Sequence, residues 1–101
     1  MTEINSIDEI KRITVPIAKK YGVKKMALFG SYARGEQKNT SDIDFWIDKG
    51  EIKGFFRLAG FQRELEEKFS MPVDVLTTGA LSDEFLERIK NEEIIIYERS
   101  P

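Results

Sequence analysis

The sequence of 101 residues contains no cysteine and no histidine. Without cysteine, a disulfide, a thiolate metal ligand and a cysteine nucleophile are all excluded. Without histidine, no imidazole can act as a general base, and a zinc site would need carboxylates alone. Any catalysis must therefore use Asp, Glu, Lys, Arg, Ser, Thr or Tyr, and this restriction favours a hard, oxygen-liganded ion such as magnesium.

Long apolar runs and a net positive charge are also missing. No run approaches the length of a membrane span and the N-terminus has no apolar signal region, so we expect a cytoplasmic protein without membrane contact. The net charge of −2 gives no reason to expect direct nucleic-acid binding, which usually needs a basic surface. With 41% hydrophobic residues, the chain is expected to form one globular domain over residues 1–101.

The hydrophobic pattern predicts helices alternating with short strands. The order indicates an α/β (α+β) protein with a small sheet of three or four strands. Ser6 and Glu9 form a capping box for the first helix, in which Pro16 predicts a kink or a split. The later predicted elements are strand Lys25–Phe29, a short helix capped by Ser31, strand Asp42–Asp48, a helix from Gly54, strand Val73–Thr77, helix Asp83–Lys90 capped by Ser82, and edge strand Ile94–Tyr97.

The helix that follows Gly54 has an apolar face that we expect to pack on the sheet. Its predicted members are Phe55, Leu58, Gln62, Leu65 and Phe69, supplemented by Phe56 and Phe61. Gly60 weakens this helix by about 1 kcal/mol relative to alanine. We therefore expect Gly60 to mark a close packing contact.

A glycine-serine turn follows the first predicted strand. Gly30 allows the backbone to approach a ligand closely, and the first amides of the short helix after it suit a phosphate group. The Ser31 hydroxyl can add a donor. The pair is not a P-loop, because no Gly-Lys-Ser/Thr follows, and Gly-Ser alone is more often an ordinary turn.

Three carboxylates form the second candidate feature. Asp42 and Asp44 are two positions apart in a predicted strand, so they lie on one face and repel each other unless a cation lies between them. A solvated pair of acids is the alternative. Asp74 lies between Val73 and Val75 in a strand of the same small sheet, where an unpaired buried acid is costly. A third carboxylate on this face would give the usual donor set of a two-metal phosphoryl-transfer site.

The combined pattern resembles the signature of the DNA polymerase beta-type nucleotidyltransferase superfamily. The pattern consists of Gly30-Ser31, a gap of ten residues, Asp42-Ile43-Asp44, and Asp74 inside an apolar strand. The segments Leu28–Gly35 and Ser41–Asp44 are most similar to its minimal nucleotidyltransferase (MNT) branch, and the resemblance covers nearly the whole chain. It implies the polymerase beta-like nucleotidyltransferase fold, a mixed sheet with helices packed on one face.

The resemblance also implies a role for each residue of the pattern. Gly30 and Ser31 hold the β- and γ-phosphates of a nucleoside triphosphate. Asp42 and Asp44 ligate two Mg²⁺ ions. Asp74 completes the shell of the catalytic metal and helps to deprotonate the attacking hydroxyl, so that no histidine is needed.

Arg34 has two open interpretations. It is a candidate for contact with the triphosphate, and a surface salt bridge is the alternative. The edge strand Ile94–Tyr97 is a candidate surface for a homodimer or a partner.

MNT-branch proteins typically pair with a helical HEPN-domain protein, often as antitoxin to its ribonuclease toxin, and some transfer AMP from ATP to a tyrosine of that partner. The resemblance therefore implies a magnesium-dependent protein adenylyltransferase that acts as an antitoxin. Two alternatives stay open. One is a binding module that neutralises its partner by contact, with weak or no turnover, and the other is an enzyme that nucleotidylates a small molecule such as an aminoglycoside.

Overall fold

The computed structural model describes residues 6–38 and 40–99. Its elements are α1 (Ile7–Tyr21), β1 (Lys25–Phe29), α2 (Ser31–Arg34), β2 (Ile43–Asp48), α3 (Phe55–Phe69), β3 (Val73–Thr77), a 3₁₀ turn (Thr78–Ala80), α4 (Asp83–Lys90) and β4 (Ile94–Glu98). The predicted order of helices and strands is confirmed. None of the helices in these two ranges is long and apolar enough to cross a membrane.

The strands form one mixed sheet in the order β3-β2-β1-β4. Strand β1 is antiparallel to both β2 and β4, whereas β2 and β3 are parallel. The parallel pair follows from α3, which connects these two strands as a crossover helix. The α/β class with a four-stranded mixed sheet is thus confirmed, and β4 lies at an edge, as predicted.

The main core lies between one face of the sheet and helices α1 and α3. Alternate residues of β2 point into it, and Ile43, Phe45 and Ile47 are fully buried. They pack with the apolar stripes of the two helices, which include Ile10 and Leu65. This arrangement confirms that the isoleucine-rich first helix packs on the sheet.

The opposite face of the sheet is covered as well. Ala27 and Phe29 of β1 and Trp46 of β2 form a second buried cluster with Ile89 of α4. The expectation that helices pack on one face only is wrong in this respect. The physical reason is that β1 and β2 carry apolar side chains at consecutive positions, so both faces need to be shielded from water.

Helix α1 is not split at Pro16, which was one of the two outcomes, a kink or a split, that the sequence predicted. The Ser6 hydroxyl accepts a hydrogen bond of 3.1 Å from the Glu9 amide, and Gly22 ends the helix at a φ of 73°, as expected. The helix nevertheless passes through Pro16. Ile17, directly after the proline, is buried at 4% exposure, so packing outweighs the missing backbone hydrogen bond.

Helix α3 buries only part of its predicted apolar face. Phe61, Leu65 and Phe69 are buried, whereas Phe55 and Phe56 are 78% and 91% exposed. The prediction was therefore wrong for the first turn. Phe56 lies on the helical face of Arg63, which is exposed to solvent.

Candidate active site

Gly30 ends β1 directly beside an acid of the neighbouring strand. Phe29, the last residue of β1, is paired with Asp44 of β2. Gly30 has φ 75° and ψ −156°, a conformation that side chains strongly disfavour. A Cβ atom at this position would meet the Asp44 carboxylate, with only 3.3 Å to its Cγ. Glycine is therefore required both by the turn and by the closeness of Asp44.

Ser31 is the first residue of α2 rather than its N-cap. Gly30 has this position, since its carbonyl accepts hydrogen bonds from the amides of Ala33 at 3.1 Å and Arg34 at 3.2 Å. The predicted capping role of Ser31 is wrong for this reason. The half-buried Ser31 thus begins the helix directly after the close approach of Gly30 to Asp44.

The parallel pairing of β2 and β3 brings two of the predicted acids together. Asp44 and Asp74 are partners in the strand register, although they are thirty positions apart in the sequence. The pKa of Asp44 is raised from 3.8 to about 6, first by burial and then by the charge of Asp74, a hydrogen bond with Asp74 and the charge of Asp42. The charge of Arg34 acts in the opposite direction and lowers this pKa. Asp44 is thus an acid whose ionised form is disfavoured by burial and by the neighbouring acids.

Asp42 and Asp74 are both exposed, and Asp42 lies just before the first residue of β2. The interpretation of Asp74 as a buried acid is wrong, because its side chain lies on the face of β3 opposite to the buried Val73, outside the apolar cluster that α4 covers. Across residues 6–38 and 40–99, no three acids form a group with the geometry to hold a metal ion. The structure therefore shows a pair, Asp44 and Asp74, with Asp42 near enough for its charge to act on Asp44.

The chemistry of these donors fits a hard divalent cation. Mg²⁺ is bound in proteins by one or two carboxylates together with phosphate oxygens and water, so it does not need a complete protein cage. The raised pKa of Asp44 reflects burial and repulsion between neighbouring acids. A bound cation would relieve that repulsion.

Arg34 is held by two carboxylates. Its Nε donates to Glu36 at 2.8 Å, and its Nη1 donates to Glu92 at 3.2 Å. Both partners raise the pKa of Arg34. Of the two interpretations from the sequence, the salt bridge is the one that the structure contains.

A cavity of about 280 Å³ opens beside Gly30, between α2 and α4. Its lining residues are Phe29, Gly30, Arg34, Phe85, Arg88, Ile89 and Glu92. Sequence reasoning missed this cavity and Arg88. In the sequence, Arg88 is marked only by its position next to Ile89 in a capped helix. This position does not show over which strand end the helix packs.

The end of α4 is tied to the strand that carries Asp44. Trp46, on the same face of β2 as Asp44, donates its indole Nε1–H to Glu93 at 2.6 Å. Since Glu93 follows α4 closely, this bond fixes the helix over the face of the sheet that carries the acids.

Comparisons with known proteins agree on one family. The model of the family described as polymerase beta nucleotidyltransferase matches residues 11–101. A candidate protein adenylyltransferase of Methanocaldococcus jannaschii is 47% identical over 89 residues, which are 88% of this chain and 96% of that protein. This similarity extends over nearly all of both chains.

Solved structures show the same fold at low sequence identity. A minimal nucleotidyltransferase superposes with a TM-score of 0.80 at 22% identity, over 93% of this chain and 98% of that chain. A chain of the complex between the tri-AMPylated HEPN toxin of Shewanella oneidensis and its MNT antitoxin superposes with a TM-score of 0.71 at 12% identity, over 93% of this chain and 74% of that chain.

Proposed function

Because the chain belongs to the polymerase beta nucleotidyltransferase family, we propose that it transfers AMP from ATP to a hydroxyl group of a partner protein in the presence of Mg²⁺. The observation that supports this most directly is the Asp44–Asp74 pair beside the turn at Gly30. Acids that repel one another next to a backbone open to close approach suit a metal-bound triphosphate.

The partner that we propose is a HEPN-domain toxin, with one of its tyrosines as the acceptor, so that the chain acts as an antitoxin. The name of the Methanocaldococcus relative supports a protein as the acceptor. The Shewanella complex, in which an AMPylated HEPN toxin is bound to an MNT antitoxin of this fold, supports the kind of partner. A solved toxin–antitoxin with AMP-PNP, matched with a TM-score of 0.76, supports an adenine nucleotide as the donor.

In the proposed reaction, the acceptor oxygen forms a bond with the α-phosphorus while the bond from that phosphorus to the bridging oxygen of the β-phosphate breaks. Pyrophosphate leaves, and Asp74 takes the hydroxyl proton. Its exposed position on an edge strand suits this role, since a protein acceptor must approach from outside. Gly30 and Ser31 hold the outer phosphates. When Mg²⁺ binds, the Asp44–Asp74 pair would hold it, joined in the proposed site by Asp42, and the ion would neutralise charge on the triphosphate.

Transfer of label from [α-³²P]ATP to the cognate partner tests the proposal. We expect labelling in Mg²⁺ with the wild type and at least 100-fold less with Asp74→Asn, because general-base catalysis alone contributes about 10²–10⁴-fold. Asp48→Asn, at the far end of the same face of β2, is the matched control and should label as the wild type does. Circular dichroism of each variant should be unchanged, since Asp74 and Asp48 are not buried.

Neutralisation by contact alone is the second candidate function. The exposed rings of Phe55 and Phe56, stacked edge to face at 6.2 Å, favour it because a partner can cover them. No labelled protein, together with undiminished neutralisation by an Asp42→Ala/Asp44→Ala double variant, would leave only this function.

A further inference from the structure

Two arginines line the cavity beside Gly30, and they differ in whether a carboxylate pairs with the guanidinium group. Arg34 is engaged by Glu36 and Glu92, and its charge is therefore already compensated. Arg88 faces the same cavity from α4, and across the described parts of the chain no carboxylate lies within ion-pair distance of it. Arg88 is thus the cation of this cavity whose charge is not compensated.

The framework around Arg88 is fixed. Ile89, the next residue, is 4% exposed and belongs to the buried cluster under α4. Phe85, one turn earlier, packs edge to face on Phe29 at 5.9 Å. The backbone of α4 is therefore held over the end of β1, while the exposed side chain of Arg88 reaches the cavity.

The cavity lies on one particular side of Gly30. Its lining residues come from β1, α2, α4 and the connection to β4, and none comes from β2 or β3. In the sheet order β3-β2-β1-β4, the acids Asp44 and Asp74 lie on the other side of β1. A triphosphate with its α-phosphate at these acids and its outer phosphates at Gly30 would end at the cavity.

We propose that Arg88 binds the outer phosphates of the nucleoside triphosphate, the part that leaves as pyrophosphate. The inference rests on the proposed nucleotidyltransferase function and adds a residue of α4 to it. A guanidinium group suits this ligand because its planar donors form paired hydrogen bonds with phosphate oxygens. Arg34, for which the sequence left both this contact and a surface salt bridge open, is paired with two glutamates in the cavity wall.

Calorimetric titration of the whole chain with ATP, AMP and pyrophosphate, each with Mg²⁺, tests this role. For Arg88→Ala we expect affinity for ATP and for pyrophosphate to fall about tenfold, as for loss of a hydrogen bond to a charged group, with AMP changed less than twofold. Arg88→Lys should recover part of the loss because it keeps the charge. Arg63→Ala, on the exposed face of α3, is the matched control and should bind as the wild type does.

Each of four results would overturn the inference. Unchanged binding of pyrophosphate by Arg88→Ala would remove Arg88 from the phosphate site. An equal loss for AMP and ATP, with pyrophosphate unaffected, would show that the cavity holds the nucleoside instead. If the wild type binds none of the three ligands and transfers no label, both the proposed function and the role of Arg88 fail. If the wild type transfers label and Arg88→Ala transfers label equally well, only this inference fails.

Discussion

Asp44 is a residue at which the stability of the fold and the proposed function make opposite demands. Its folded-state pKa of about 6 lies above the ordinary value of 3.8, so the folded protein favours the protonated form of this acid. The stabilising contribution of the protonated acid is fully present below about pH 4, and it is lost as the pH rises through 6. At neutral pH the ionised side chain is therefore a cost to the fold that a cation can offset.

This linkage predicts a pH-dependent effect of Asp44→Asn. In a metal-free buffer at pH 7.5, we expect the variant to be more stable than the wild type by about 1 kcal/mol, because each pKa unit corresponds to 1.36 kcal/mol and the half-exposed site is screened by solvent. At pH 4 the difference should disappear. Urea unfolding at both pH values measures it. A difference of the same size at both would contradict the assigned shift.

Gly30 and Gly35, which differ in ψ (−156° and 22°) and in the space beside them, are compared in a second prediction. Both have positive φ, 75° and 72°, but an added Cβ meets the Asp44 carboxylate only at Gly30 and meets nothing within 4 Å at Gly35. We expect Gly35→Ala to lose about 1 kcal/mol of stability from backbone strain alone, and Gly30→Ala to lose about 2–3 kcal/mol. Denaturant unfolding compares them, and equal losses would show that neither the contact with Asp44 nor the ψ of −156° at Gly30 adds to the cost.

Among the elements, α3 shows how tertiary packing modifies a helical pattern. Phe61, Leu65 and Phe69 reach the core as their spacing predicts, whereas Phe55 and Phe56 in the first turn do not. The expected close contact at Gly60 is also absent, because a Cβ there would meet only the Tyr21 hydroxyl, at an ordinary 3.6 Å. The weakness that Gly60 brings to the helix is therefore not required by packing.

This geometry predicts that Gly60→Ala stabilises the protein by about 1 kcal/mol, the difference in helix propensity between the two residues. The position is in the interior of α3 and its φ is not positive, so alanine fits without strain. Thermal unfolding should show a higher midpoint for the variant. Gly22→Ala, at a φ of 73° and with a Cβ 2.8 Å from that of Glu51, should lower it. A lower midpoint for Gly60→Ala would indicate a packing role for the glycine.

At the scale of the whole molecule, the order of the strands in the sheet brings the parts of the candidate site together. Asp74 lies on β3, Asp44 on β2, the turn at Gly30 follows β1, and the cavity with Arg88 lies towards β4. The parts of the site thus follow one another across the sheet, in the order in which an acceptor, an α-phosphate and the outer phosphates would be arranged. Because α4 covers the second face of the sheet, its residue Arg88 lies beside these parts of the site.

Local sequence alone determined the elements and indicated the candidate site residues. Ser6, Gly22 and Ser82 mark helix ends through short-range hydrogen bonds and backbone preferences, and they lie where the pattern predicted them. The Gly30-Ser31 turn and the acids at positions 42, 44 and 74 carried the resemblance to the family that the comparisons show.

Only the tertiary structure decided how these residues meet. The partnership of Asp44 with Asp74 depends on the register of two parallel strands, and the exposure of Asp74 depends on how much of this face of the sheet α4 covers. The pairing of Arg34 with Glu92 and the position of Arg88 depend on where α4 packs. These features arise from contacts between residues some 30 to 60 positions apart, and neither periodicity nor capping carries information over such separations.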